Sequence, residues 1–385
     1  MTTAVIVDAI RTPSGRGKHG GALAHFHPVD LFATVLRALV ERNGLDPALI
    51  DDVIGGCVSQ AGEQAINVTR NAALAAGFPL SVAGVTVDRQ CGSSQQAANF
   101  AAQGVIAGAY DIVIAGGVEL MSKNPINFST LGMDPYGPML GKRFPGGLIG
   151  QGISAELIAA RWNLSRSELD AFAAQSHERA RRASFEMEIV DVGSGTTDET
   201  IRAETTVESL GALKPAFHDD SYLERFPEID WRITAGNSSP LTDGASAVLI
   251  MSEEAADDLG LRPRARFHSF AVIGSDPIEM LTGVMPVTKR ILARSGLTID
   301  DLDTYEVNEA FASVPLAWLQ EQHADPAKLN PRGGAIALGH ALGSSGTRLL
   351  TTMLTTLEQN GGRFGLQVMC EGAGMANATI IERLQ

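Results

Sequence analysis

The sequence predicts an α/β protein made of two related layered halves, with an irregular lobe inserted into the first. Three observations carry this expectation. Apolar runs of strand length alternate with helical patterns along most of the chain, the mark of strands and helices in layers. Two distant segments repeat one pattern in the same register: Arg42-Asn43-Gly44-Leu45 then Ile50-Asp51, and Arg294-Ser295-Gly296-Leu297 then Leu302-Asp303. Glycine fills 41 of 385 positions, about 11% against a ~7% average, as many tight strand–helix turns require.

In chain order, residues 4–8 place Val5, Ile6 and Val7 in a first strand. Residues 29–43 carry an amphipathic helical period that stops at Gly44, a residue suited to the left-handed end of a helix. A second strand covers 53–59, and 85–89, 93–107 and 112–116 make a strand–helix–strand unit. A matching set returns late, with strands at 264–272, 304–307 and 365–369 and helices at 288–295 and 346–359. Between the sets, 121–147 is rich in Gly, Pro, Asn and Met without a period, 151–186 is helical, and 191–208 is polar and turn-rich. These textures divide the chain into an N-terminal half over 1–118 completed by 248–267, a lobe over 119–247, and a C-terminal half over 268–385. A lobe of this kind is a place for a cofactor-sized ligand.

The length suits two to three domains. A net charge of −14 argues against a nucleic-acid partner, and an anionic ligand would need donors arranged locally. Cys57, Cys91 and Cys370 lie far apart, which is neither a disulfide framework nor a zinc spacing, and the eight histidines add no metal-ligand pattern. The first eleven residues read as a strand rather than a signal peptide. The longest apolar runs, such as 112–118, fall far short of the ~20 residues that span a bilayer. The expectation is a soluble cytoplasmic protein without a membrane partner.

Four segments carry chemistry. In Val87-Asp88-Arg89-Gln90-Cys91-Gly92-Ser93-Ser94 a strand gives way to a helix. A thiol there feels the positive end of the helix dipole, which favours the thiolate, and Ser93 or Ser94 can cap the helix. Residue by residue, Cys91 reads equally as a nucleophile or a buried structural cysteine, whereas Cys57, inside an apolar strand, reads as structural. His340 stands between Gly339 and Gly343 ahead of a helix, the setting of a base that backbone and substrate approach closely. His177 lies on an ordinary helix, and His19, His25 and His27 lie in a polar stretch. Met369-Cys370-Glu371-Gly372-Ala373-Gly374 sits at a strand end, where a thiol tuned toward neutrality can move protons and glycine N–H groups can hold an oxyanion. Asn308-Glu309-Ala310-Phe311-Ala312 follows a strand directly.

Taken together with Gly116-Gly117-Val118-Glu119-Leu120-Met121-Ser122, these blocks resemble the thiolases, coenzyme A-dependent acyltransferases, nearly end to end. The resemblance implies a five-layered αβαβα fold from two duplicated βαβαβαββ halves, with the inserted loop lobe binding coenzyme A. It implies Cys91 as the nucleophile that carries the acyl group, His340 as acceptor of its proton, and Cys370 as the acid or base at the α-carbon. Asn308 would hold a water that forms one oxyanion site with His340, and the N–H groups of Cys91 and Gly372 would form the other. For coenzyme A it implies Ser239, from the segment Thr234-Ala235-Gly236-Asn237-Ser238-Ser239, with Arg202, Ser209 and Phe217, and more weakly Gln151. Arg179, Arg181 and Arg182 read as a solvated helix face. No tightly bound cofactor or metal is implied, and the assembly is a homodimer or homotetramer.

The chain departs from the family in one place: Ala341 follows the histidine where proline is usual. The leading expectation is thiolytic cleavage of 3-oxoacyl-CoA to acyl-CoA and acetyl-CoA, as in β-oxidation, with a lean toward bulky or steroid-type chains. A biosynthetic acetoacetyl-CoA thiolase is the alternative. A decarboxylating condensing enzyme would carry a second histidine at position 308 and lack Cys370. A non-catalytic acyl-CoA carrier would lack one of Cys91, His340 and Cys370.

Overall fold

A computed structural model describes residues 2–384. The chain begins β1 (Ala4–Arg11), β2 (Gly15–Arg16), α1 (Pro28–Arg42), β3 (Asp52–Gly56), α2 (Val68–Ala75), β4 (Ala83–Val87), α3 (Ser93–Ile106) and β5 (Ile112–Leu120). The lobe contributes α4 (Gly137–Arg143), α5 (Gln151–Arg161), α6 (Arg166–Arg182) and α7 (Val207–Gly211) before β6 (Thr242–Ser252) rejoins the sheet. After α8 (Glu253–Asp258) come β7 (Ala265–Gly274), α9 (Val284–Ser295), β8 (Thr304–Val307), α10 (Ser313–Gln322), α11 (Ala335–Leu338), α12 (Ser345–Asn360), β9 (Phe364–Glu371) and β10 (Met375–Arg383).

The repeat read in the sequence is a repeat in space. Helices α1 and α9 end beside Gly44 at φ +58° and Gly296 at φ +73°, and each is followed by one 3-10 turn leading into β3 or β8. Strand order is β4-β3-β5-β6-β1-β7-β10-β9-β8. In the first half β3–β5 is parallel while β5–β6 and β6–β1 are antiparallel; in the second, β8–β9 is parallel while β9–β10 and β10–β7 are antiparallel. The counterpart of β4 shrinks to one parallel bridge, Tyr305 to Leu329. The halves meet where β1 and β7 pair at Val5–Arg266 and Ile6–Ala265, so the two sheets are continuous.

Three apolar layers follow. One packs Leu31, Phe32, Leu36 and Leu39 of α1 on the first half's strands, and a second packs Val284, Val287, Val314 and Trp318 of α9 and α10 on the other half's strands. The middle one joins Ala97, Ala98, Ala101 and Ala102 of α3 to Leu350, Met353, Leu354 and Leu357 of α12. The alanine face lets the two helices approach closely. At their N-termini the approach is closer still, because a Cβ on Gly346 would lie 2.0 Å from the Gln95 backbone nitrogen. The turns that precede α3 and α12 are thereby brought together, and they carry Cys91 and His340.

Several expectations shift. The boundaries at 118/119, 247/248 and 267/268 fall inside β5, β6 and β7, because each strand keeps its ladder past the change in composition. The helix expected over 151–186 is two helices, broken at Asn163 with φ +54° and restarted by the Ser165–Glu168 capping box. The strand expected over 53–59 stops at Gly56, since the N–H groups of Val58 and Ser59 turn to the Glu119 carboxylate at 2.8 and 3.1 Å. No helix among the described residues is long and apolar enough to cross a membrane.

Candidate active site

Cys91 follows β4 on a tight turn in which Gln90 takes φ +49°. The Arg89 N–H donates to Ser93 Oγ at 2.9 Å and Ser93 Oγ donates to the Gln90 carbonyl at 2.6 Å. Neither serine caps α3, which has Gly92 at its N-cap; Ser94 Oγ instead accepts the Thr347 N–H at 3.0 Å and ties α3 to α12. Cys91 is 2% exposed and packs against Leu342, Leu349 and Met369, with the Gln151 side chain and the Gly372 N–H near its sulfur. Cys370, at the end of β9 and fully buried, lies near it, with the Asn308 side chain close to the Cys370 sulfur. The turn after Cys370 places Ala373 at φ +63°. Left-handed backbone at Gln90 and Ala373 costs of order 1 kcal/mol each, and both lie beside the two thiols.

His340 is held on every side. Its N–H donates to Thr242 Oγ1 at 3.0 Å, its Nδ1 lies 2.6 Å from Ser345 Oγ, and its Nε2 lies 3.4 Å from Asn308 Nδ2. Two buried carboxylates fix the loops around it. Glu119 accepts the N–H groups of Val58, Ser59 and Gly343 at 2.8, 3.1 and 3.0 Å, so a residue of β5 holds the loop that bears His340. Glu309 accepts Ser176 Oγ, Asn330 Nδ2 and the Ile336 N–H at 2.6, 2.9 and 3.1 Å.

The geometry therefore joins Cys91, Cys370, His340, Asn308, Gly372 and Gln151. Ser239 is half-buried, with its hydroxyl donating to the carbonyl of Ala310, two residues after Asn308, at 3.1 Å. Phe217 lies on Gly152 and edge-on to Phe311, ring centroids 5.7 Å apart. Arg202 and Ser209 are exposed and apart from this cluster. The Arg202 N–H donates to His177 Nδ1 at 3.1 Å, and Ser209 shares a capping box with Thr206 at the start of α7.

Sequence profiles of the thiolase N-terminal and C-terminal domains match residues 4–254 and 261–383. The chain belongs to the thiolase family. It is 50% identical over 400 residues to a steroid 3-ketoacyl-CoA thiolase of Mycobacterium tuberculosis, covering 100% of this chain and 95% of that one. It is 44% identical to a 3-ketoacyl-CoA thiolase of Aliivibrio salmonicida, with all of both chains covered. The crystal structure of the Bacillus anthracis acetyl-CoA acetyltransferase superposes with a TM-score of 0.88 at 35% identity, covering 100% of this chain and 99% of that one.

In this thiolase the resting charges differ from the sequence expectation. Burial pushes the Cys91 thiol up to about 12, aided by the nearby Glu371 carboxyl and only partly offset by the bonds from Gln151 and Gly372. Burial, with Cys91 and Glu371 adjacent, also raises Cys370 well above the ordinary thiol value, away from neutrality. Burial, with a smaller contribution from the Arg348 cation, lowers the His340 ring to about 3. Both thiols are protonated at rest and the imidazole is neutral; desolvation outweighs the helix dipole.

His177 is a buried structural ring, its Nδ1 taken by Arg202. The arginine run divides. Arg181 and Arg182 pair with Glu178 at the surface, but Arg179 is half-buried and donates to the carbonyls of Pro326, Leu329 and Asn330. Sequence reasoning missed Thr242, Ser345 and the anchoring by Glu119. The paired serines at the start of α12 were a readable signal for Ser345; Thr242 lies 98 residues from His340 and gave none. Among the described residues, no group of three or more His, Cys, Asp or Glu could share a metal.

Proposed function

We propose that this thiolase cleaves 3-oxoacyl-CoA with coenzyme A to give a shortened acyl-CoA and acetyl-CoA, as in β-oxidation, through an acyl-Cys91 intermediate. The observation that carries the reading is the convergence of two buried cysteines, Cys91 and Cys370, with His340 and Asn308 at one site, where burial favours protonated thiols and a neutral imidazole. Thiolysis starts from that state. His340 Nε2 takes the Cys91 proton as the sulfur bonds to C3 of the substrate, and the carbonyl electrons move onto oxygen within reach of the Cys91 and Gly372 N–H groups. Collapse breaks the C2–C3 bond and leaves the enolate of acetyl-CoA, whose C2 takes the proton of Cys370. The enolate oxygen faces His340 and a water on Asn308, whose Oδ1 has no partner among the described residues. Coenzyme A then gives its thiol proton to the Cys370 thiolate and attacks the acyl group; Cys91 leaves and recovers its proton from His340. Every proton returns to its starting group.

Coenzyme A lies along the lobe, with Ser239 and Phe217 beside the pantetheine and Arg202 and Ser209 toward the nucleotide. Gln151 orients the Cys91 thiol. The likeness to a steroid 3-ketoacyl-CoA thiolase favours a bulky acyl chain, as do the exposed Ile126, Leu131, Met133 and Met139 of the lobe. We place the protein in the cytoplasm, in keeping with three free buried cysteines. It assembles as a homodimer or homotetramer; β4 is an edge strand with Val85 exposed on it and Leu80 exposed just before it, where a second copy can dock. The test is thiolysis of a panel from acetoacetyl-CoA to polycyclic 3-oxoacyl-CoA, with Cys91→Ala as control. Turnover that peaks on bulky chains and vanishes in the control supports the reading. A peak at acetoacetyl-CoA favours the short-chain enzyme, and coenzyme A binding without turnover favours a carrier.

A further inference from the structure

Two buried side chains of α12 face the loop that bears His340, and the reaction set out above uses neither. Ser345 Oγ lies 2.6 Å from His340 Nδ1 and 2.8 Å from the Ala341 carbonyl oxygen. A carbonyl only accepts, so the one hydroxyl proton goes to Ala341 and the serine oxygen is left to accept from the ring. Nδ1 then carries the hydrogen, and Nε2, facing the Asn308 Nδ2 donor at 3.4 Å, keeps its lone pair. Arg348 stands three residues further along the helix and is 5% exposed. Neither of its Nη atoms has a hydrogen-bond partner among the described residues. It lines a small cavity of about 10 Å³ together with Gly339, Ala341 and Ser345, the residues on either side of His340 in the loop and behind it. That volume is about one water molecule.

We propose that Ser345 and Arg348 are positioning residues for His340, Ser345 holding the ring in its Nδ1–H tautomer and Arg348 setting an unpartnered cation behind the loop that bears it. The inference rests on His340 being the base of the proposed reaction. The direction of the ring's titration agrees, since burial and the Arg348 cation both favour the neutral form. Glu119 of β5, which accepts the Gly343 N–H, and Glu371 of β9 are carboxyls that burial pushes up, toward the neutral form. Cys91 ahead of α3 and Cys370 on β9 are protonated thiols. Glu309 beyond β8 and Glu188 bear on Arg348 as counter-charges, Glu306 on β8, raised to about 8 by burial, joins them only as pH rises past that value, and Arg11 on β1 opposes it. Thr242 of β6 is uncharged.

The test is the pH dependence of thiolysis kcat/KM in the full-length enzyme and its variants. With the ring at about 3, the wild type has no acid limb down to about pH 5. Arg348→Met removes the lesser of the two causes and leaves burial in place, so the ring rises only part of the way toward 6.5 and kcat/KM begins to fall near pH 5 where the wild type stays flat; Arg348→Lys restores the flat profile. Ser345→Ala lowers kcat about tenfold with KM unchanged, because the ring divides between tautomers, and Ser345→Thr restores it. A wild-type profile in Arg348→Met, or full kcat in Ser345→Ala, overturns the proposal. If Arg348→Met does not fold, the Ser345 pair decides. His340→Ala separates the two levels: activity retained there refutes the base itself. An inactive His340→Ala with wild-type behaviour in the α12 variants refutes only the positioning.

Discussion

Glu119→Gln tests whether the first half of the molecule holds the catalytic loop of the second. In the wild type, one carboxylate oxygen accepts the N–H groups of Val58 and Gly343, and the other accepts the Ser59 N–H and Gln64 Nε2. An amide offers one acceptor and one NH2 group, so whichever way it turns, two buried donors face a donor. The Gln64 amide cannot reverse to help, because its Oε1 already accepts the Leu120 N–H at 2.8 Å. Two buried donors left unpaired cost about 1–3 kcal/mol each, or about 2–6 kcal/mol together. Urea unfolding measures that loss, and thiolysis kcat measures the loosening of Gly343, three residues after His340. We expect a clear fall in the unfolding midpoint and in kcat, with the coenzyme A KM little changed. Stability within about 0.5 kcal/mol of wild type, together with full kcat, would refute the reasoning.

Three further outcomes follow from the same geometry. The Ala341 N–H has no hydrogen-bond partner among the described residues, and the loop is already held by Thr242 and Glu119, so Ala341→Pro leaves kcat unchanged or modestly raised; a loss above about tenfold, ~1.4 kcal/mol of barrier, would show a different loop course. With Cys91 raised to about 12, its alkylation by iodoacetamide in the substrate-free enzyme climbs about tenfold per pH unit from about pH 7 to 9 without a plateau; a plateau near pH 7 would contradict the burial argument. Burial raises Glu306 from 4.5 to about 8, so the stability linked to its bound proton is full below 4.5 and is lost as pH rises through about 8. Glu306→Gln cannot ionise, so relative to wild type it gains stability between about pH 5 and 8.5 in denaturant titrations, and a constant difference across that range would count against the assignment.

What the sequence made legible was local. Gly44 and Gly296 mark equivalent helix ends because a left-handed residue is written in one letter, and they exposed the duplication. The turns holding Cys91, His340 and Cys370 were visible as glycine-flanked reactive residues at strand and helix ends. What stayed hidden depends on partners far along the chain. Arg179 looked solvated because the carbonyls it binds lie about 150 residues away, and Ser94 looked like a cap although its partner is Thr347. The resting thiol state was misread for the same reason: the dipole is local to α3, whereas the desolvation that outweighs it comes from Leu349, Met369 and Leu342 of the other half.

The central claim is that the acyl group passes through Cys91. Full-length enzyme given 3-oxoacyl-CoA without added coenzyme A, then quenched and digested, should carry one acyl mass on the peptide containing Cys91, and none in Cys91→Ala. An acyl mass on the Cys370 peptide, or steady turnover with no adduct at Cys91 even at short quench times, would contradict the account.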